Sequence, residues 1–356
     1  MTISSAILLG IVQGVAEFLP ISSSGHLAIL QNLFALSAGE DHLFFDVLLH
    51  LGTLISICVC YWGDIVAMVR EVFIVLRGGR RADGTPVQGN LGAARLFMMI
   101  VVGTLPLFLV LPINDKVEEL YYITPFIGVA LLLTGCMLFV SDKMTPGKRT
   151  EKNMRFRDAL VIGLCQCVAT IPGLSRSGTT ITAGIATGLD RTFAMKYSFL
   201  LSLPAVLGAN LLSFIKAIGS ESIDASLIPA YLIGMLAAML SGIAAISLMK
   251  LIAKKSKFGW FAYYCWAAGA LTLVLALLGF GLVMLFSASY ARAYYVTGNS
   301  ASYFTSQLVY VLMGVGVLFA ISRVPYAWYR KLAFPILGVS VALLMLVSLT
   351  SVGSSG

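Results

Sequence analysis

Apolar runs long enough to cross a bilayer alternate with short polar stretches along most of the chain. They lie at 43–62, about 96–112, about 122–140, 192–215, 227–250 and about 258–285, with two more at about 306–322 and 333–350. A membrane helix needs about 20 such residues. Two further stretches, 3–36 and 158–189, are equally apolar but interrupted, the first at Pro20 and the second at Pro172-Gly173, each time beside clustered serines. The second begins and ends beside basic clusters, which predicts a re-entrant pair of half-helices, and by the repeat the first is its mirror image. Both breaks should face each other inside the bundle, because irregular backbone at membrane depth is tolerated only against protein or a water-filled cavity. The pattern therefore predicts an all-α polytopic membrane protein with about six transmembrane helices, two re-entrant hairpins and two extra C-terminal helices. The segment 63–95, containing RGGRRADGTPVQGN, reads as a flexible loop.

The two interrupted stretches are copies of each other. QGVAEFLPISSSGH, Gln13 to His26, returns 153 residues later as QCVATIPGLSRSGT, Gln166 to Thr179. Gly10 aligns with Gly163, Gln13 with Gln166, and Ser22, Ser24 and Gly25 with Ser175, Ser177 and Gly178. A duplication carrying proline- and glycine-interrupted polar motifs in apolar surroundings points to a midplane site between two inverted repeats. The repeats are placed at about 3–140 and 158–285. The copies differ in their chemistry: the first carries Glu17 and His26, the second Arg176.

Composition agrees with the pattern. Of 356 residues, 59% are hydrophobic and 11% charged, and mean hydropathy is +0.93; a soluble domain carries about twice that charge. The net charge of +8 would suit nucleic acid, but 20 of the 24 Lys and Arg fall in five short connections between apolar runs. That is the positive-inside pattern, and it excludes a nucleic-acid reading. It places 63–95, 141–157 and 250–257 inside, and the acidic NDKVEEL and GSESIDAS outside. The N-terminus lacks the basic region of a cleavable signal. The six cysteines lack metal-ligand spacing and read as buried thiols.

The motifs suggest anion chemistry. Ser22, Ser23, Ser24 and Ser175 are suited to cap the second half-helices, and two converging helix N-termini form an anion cradle. Arg176 adds a guanidinium fork for phosphate oxygens, and Ser23, Ser175, Ser177 and Thr180 add hydroxyls. A carboxylate beside a phosphate repels it, so Glu17 must serve the chemistry in another way, by holding a divalent cation or by accepting a proton. His26 can move a proton or hold the phosphoryl group. Ser23 can attack phosphorus while Glu17 or His26 takes its proton, although a water nucleophile is equally open. The plainer readings are a structural Glu–Arg pair and serines bonded only to neighbouring helices, the latter being the expectation for Ser22 and Ser24. Asp46 and His50 lie on the next span, where His50 reads equally as packing or site; His42 reads as interfacial.

Together, Gln13-Gly14-Val15-Ala16-Glu17, Ser22-Ser23-Ser24-Gly25-His26 and Pro172-Gly173-Leu174-Ser175-Arg176-Ser177-Gly178-Thr179-Thr180 resemble the signature of the undecaprenyl-diphosphatase family of bacterial inner membranes, the bacitracin-resistance type. The resemblance covers residues 1 to about 280. It implies hydrolysis of undecaprenyl diphosphate to the monophosphate and phosphate, which recycles a lipid carrier for cell-wall synthesis. It also implies dependence on magnesium or calcium and a site opening to the outer, periplasmic side of the plasma membrane. By position, it makes Glu17, Ser23, His26 and Arg176 catalytic, with Glu17 a metal ligand, and Gln13, Ser175, Ser177 and Thr180 substrate-binding. Many members have Glu where Gln13 stands, which leaves one carboxylate in this motif. From Gly279 on, the chain resembles the start of the SEDS (shape, elongation, division, sporulation) glycosyltransferases, ending before that family's catalytic loops. The resulting division is a diphosphatase domain at 1–285 and a two-span extension at 286–356, which would meet cell-wall synthesis proteins. A transporter or flippase for a polyprenyl phosphate is the rival function, since inverted repeats with broken helices suit alternating access equally well.

Overall fold

The computed structural model describes residues 2–33, 41–78, 92–145, 147–219, 227–255, 258–323 and 326–349. Most of the linker RGGRRADGTPVQGN, the outer stretch at 220–226 and the side chain of His42 lie outside the described residues. Among those described, every regular element is helical, and the one isolated backbone bridge pairs Arg149 with Leu189.

By contacts the chain divides into Met1–Ala276 and Leu277–Gly356. The first begins with a broken pair, α1 (Ile3–Phe18) and α2 (Ser23–Leu33). α3 (Asp41–Cys60), α4 (Trp62–Leu76), α5 (Gly92–Thr104), the short α6 (Asn114–Glu119) and α7 (Thr124–Lys143) follow. The second broken pair is α8 (Phe156–Val168) and α9 (Arg176–Ala186). After it come α10 (Arg191–Gly219), α11 (Ile228–Lys255) and α12 (Gly259–Thr297). Among the described residues, five helical stretches are long and apolar enough to span: Gly92–Val117, Thr124–Lys143, Arg191–Ile215, Ile228–Lys255 and Gly259–Thr297. Phe44–Cys60 with Trp62–Leu76 adds a sixth as a bent pair.

Two expectations are corrected. Residues 63–76, read as part of a loop, belong to α4, which turns 78° from the helix before it. The sequence WGDIVAMVREVFIVL is amphipathic at the helical period, a signal masked by the arginines and glycines that follow it. Glu71 anchors α4 to its neighbour by accepting from Ala93 N and Ala94 N at 2.8 and 2.9 Å, at the positive end of α5. The sixth span does not stop near 285: α12 runs 39 residues to Thr297 and is followed by Gly298, whose φ of 71° is the left-handed conformation glycine supplies after a helix.

Small residues set how closely the broken helices seat. A Cβ on Gly10 of α1 would collide with Gly234 O of α11, and one on its counterpart Gly163 of α8 would collide with Gly103 O of α5. Such positions let backbones touch where apolar burial gives no drive between helices in lipid. Phe18, Ile57, Tyr61, Leu96, Tyr197 and Phe199 belong to one buried hydrophobic core.

The second part holds the rest of α12 with α13 (Ser302–Ser322) and α14 (Tyr326–Leu349). Their described apolar stretches are shorter, Ser302–Leu318 and Leu337–Leu346. Phe286 packs edge-on to Phe304 at 5.7 Å, and the Thr297 hydroxyl lies 2.9 Å from that of Ser302 across the α12–α13 turn.

Candidate active site

Each break is a proline followed by a serine cap. In the first, Ser22 takes φ 71°, the one left-handed non-glycine among the described residues. That conformation costs an L-residue roughly 1–2 kcal/mol, and local bonds offset it. The Ser22 hydroxyl accepts from Gly25 N at 3.2 Å and donates across to Leu174 O at 3.5 Å; its carbonyl accepts from His26. In the second break Gly173 supplies the left-handed residue, φ 89°, and Ser175 caps α9 by accepting from Gly178 N at 3.1 Å. Thr134 of α7 buttresses this break, donating to Gly173 O and accepting from Ser175 N.

The breaks wall each other. A Cβ on Gly25 would lie 3.1 Å from Gly173 Cα, and one on Gly178 would lie 3.3 Å from Pro20 Cβ. At the offset of 153 these are one contact made twice, with the copies exchanged. The N-terminal residues of α2 and α9, Ser23 and Arg176, are therefore counterparts placed at one locus.

Glu17, on the last turn of α1, is the centre of that locus. Ser23 Oγ donates to Glu17 Oε2 at 2.6 Å, Gln13 Nε2 donates to the same oxygen at 3.2 Å, and Arg176 Nη2 donates to Oε1. A buried carboxylate demands such partners, since an isolated one is prohibitively costly. The Arg176 side chain is 22% exposed against 6% for Glu17, so the guanidinium is the half of the pair that an incoming anion reaches. On α3, His50 Nδ1 bonds Asp46 O at 2.8 Å, while the Asp46 side chain accepts from Gln31 at 2.9 Å.

The structure thus joins Gln13, Glu17, Ser23 and Arg176 in one network, and it puts the other sequence candidates around that network. The Ser175 hydroxyl is used in capping. Ser177 Oγ donates to Leu19 O at 3.4 Å, tying one break to the other. Thr180 donates to Arg176 O at 2.8 Å and meets Ser198 Oγ at 2.6 Å, on the side of α10. His26 bonds neither Ser23 nor Glu17: its Nδ1 lies 2.7 Å from Ser22 O and its Nε2 lies 2.7 Å from the hydroxyl of Tyr264 on α12. Tyr264 and Thr134 went unread in the sequence. A threonine inside an apolar run could have flagged Thr134; no local signal marks Tyr264.

A hard divalent cation needs oxygen ligands. Among the described residues no three His, Cys, Asp or Glu side chains gather into a cage. Gln13 Oε1, however, is buried beside Glu17 without a hydrogen-bond partner. One carboxylate, one amide oxygen and the oxygens of a phosphorylated substrate form an adequate set for a cation shared with that substrate.

Residues 6–271 match the family model described as bacitracin resistance protein BacA, and residues 268–356 match the model described as cell cycle protein. An undecaprenyl-diphosphatase of Methanosphaera stadtmanae is 38% identical over 281 residues, covering 78% of this chain and 99% of that protein. One of Alkaliphilus metalliredigens is 39% identical over 280 residues, covering 78% and 100%. A third, of Carboxydothermus hydrogenoformans, is 37% identical over 278 residues, covering 77% and 97%. With the repeated serine-capped breaks and the Glu17–Arg176 locus lying inside the first match, the chain belongs to the bacitracin-resistance BacA family.

Proposed function

We propose that this multi-pass membrane protein hydrolyses undecaprenyl diphosphate to undecaprenyl phosphate and inorganic phosphate, with Ser23 as nucleophile and Glu17 as its base. The observation that carries the reading is the 2.6 Å bond from Ser23 Oγ to Glu17 Oε2, beside the guanidinium of Arg176. A terminal phosphate entering at the N-termini of α2 and α9 competes with Glu17 for Arg176. The carboxylate is then free to take the Ser23 proton as Oγ attacks phosphorus. The bridging P–O bond breaks, and undecaprenyl phosphate leaves as an anion that needs no proton. A water then attacks the seryl phosphate; Glu17 passes a proton to Ser23 Oγ, and phosphate departs. Arg176 and the two helix ends face the charge that builds on the phosphoryl oxygens, the usual dominant contribution to such transfers.

Magnesium or calcium fits at Glu17 and Gln13 Oε1, where it would screen the diphosphate charge. We place the site on the outer side of the plasma membrane, because the basic connections assign the opposite ends of the spans to the cytoplasm. The exchanged contacts between the breaks support an inverted repeat with its axis in the membrane plane.

The test is phosphate release from undecaprenyl diphosphate by the purified protein in detergent, where no two compartments exist. Turnover there, abolished by Ser23→Ala, is the expected result. A protein that shifts the lipid across vesicles but releases no phosphate in detergent would be a transporter.

A further inference from the structure

We propose that Tyr264 is a positioning residue for this site, acting through His26 and the backbone of Ser22 on the aim of Ser23; the inference rests on the reading of Ser23 above. His26 is bonded at both nitrogens. Nδ1 faces a backbone carbonyl, Ser22 O at 2.7 Å, which can only accept, so the ring proton sits on Nδ1. Nε2 is then the bare nitrogen, and the Tyr264 hydroxyl 2.7 Å away is its donor. The two rings lie nearly parallel, 15° between planes with centroids 5.6 Å apart. The carbonyl thus sets the tautomer, and the tyrosine holds the tilt of the imidazole.

What the imidazole holds is the left-handed turn. Ser22 is an L-residue at φ 71°, a conformation that persists only where the surroundings impose it. Its carbonyl takes the Nδ1–H of His26, its hydroxyl takes Gly25 N, and the next residue is Ser23. The backbone N–H of His26 also donates to that carbonyl, at 3.2 Å, so loss of the imidazole bond loosens the turn rather than freeing it, and that shift moves Ser23 Oγ against Glu17. The path is Tyr264 hydroxyl, His26 ring, Ser22 carbonyl, then through the Ser22–Ser23 peptide link to the Ser23 hydroxyl and the Glu17 carboxylate, with three hydrogen bonds along it. It needs no contact between His26 and the substrate. It also brings α12, which lies outside both repeat motifs, into the construction of the site.

Tyr264→Phe keeps the stacked ring and removes only the hydroxyl. In the full-length protein with undecaprenyl diphosphate, kcat should fall about 10-fold, the worth of one well-made hydrogen bond, with KM unchanged because aim rather than binding is lost. Tyr264→Gln, which keeps a donor and loses the ring, should turn over faster than Tyr264→Phe; a packing role gives the reverse order. In a His26→Ala background, Tyr264→Phe should cost nothing more. Normal kcat in Tyr264→Phe, a full second penalty on top of His26→Ala, or Phe turning over faster than Gln would each overturn the proposal. Ser23→Ala is measured alongside: if it retains turnover, the reading of Ser23 fails, whatever the Tyr264 variants do.

Discussion

At the residue scale, Glu17 gathers three donors from three places: Gln13 one turn earlier, Ser23 across the break, and Arg176 from the other repeat. Ser23→Ala should lower turnover by roughly 1,000-fold or more, as loss of a nucleophile does, in the detergent assay of phosphate release. Arg176→Lys keeps the charge and loses the fork, and should cost on the order of 100-fold; a lysine enzyme with near-normal turnover would leave the arginine a structural counterion. Gln13→Glu sets a second carboxylate beside Glu17. It should tighten calcium binding measured by calorimetry, and without added cation it should lower the melting temperature, because the two carboxylates then repel in a buried site. Most of these residues could be read from the sequence, since a serine-rich break with one carboxylate and one guanidinium in apolar surroundings has few other uses. The partner of His26 could not. Tyr264 is 238 positions away, and no helix period or spacing links it to the motif.

At the scale of elements, the two breaks were legible because proline, glycine and capping serines announce themselves locally. The α4 helix and the length of α12 were not. Positive charge assigns the side of a loop but says nothing of whether the loop is helical, so Arg70 and the RGGRR run hid an amphipathic helix. The α12 helix runs through a point where two family resemblances meet, and its pattern carries no stop until Gly298. What seats the broken helices is the absence of side chains at Gly10 and Gly163. Gly10→Ala and Gly163→Ala should each destabilise the fold by about 1–3 kcal/mol, the usual penalty of overpacking, seen as a lower melting temperature in detergent. Turnover per folded molecule should change little, because neither residue touches Glu17. A loss of turnover at unchanged stability would place these glycines in the chemistry.

At the scale of the whole molecule, composition alone settles the membrane class, while the partition of the chain rests on resemblance. Contacts divide it after Ala276, and the two family matches overlap at 268–271. Residues 287–356 contain no His, Asp or Glu, so they bring neither an acid–base group nor a hard-metal ligand. Truncation after Gly298, which keeps all of α12, should therefore leave hydrolysis per folded molecule equal to that of the full chain. A folded truncation without activity would refute that division of labour.

The exchanged contact between the breaks has a historical consequence. Two identical copies of one repeat, meeting about a two-fold axis, would make the Gly25–Gly173 and Gly178–Pro20 contacts as a self-complementary pair. Ser23 and Arg176 occupy the same position in the two copies of the motif. A symmetric dimer must carry one residue there twice, either two hydroxyls or two guanidinium groups. Joining two such copies in one chain would remove that restriction and let them take unlike roles at their shared locus. Halves divided in the 144–155 connection and produced together should thus rebuild an active enzyme, whereas neither half, even if it pairs with itself, should release phosphate.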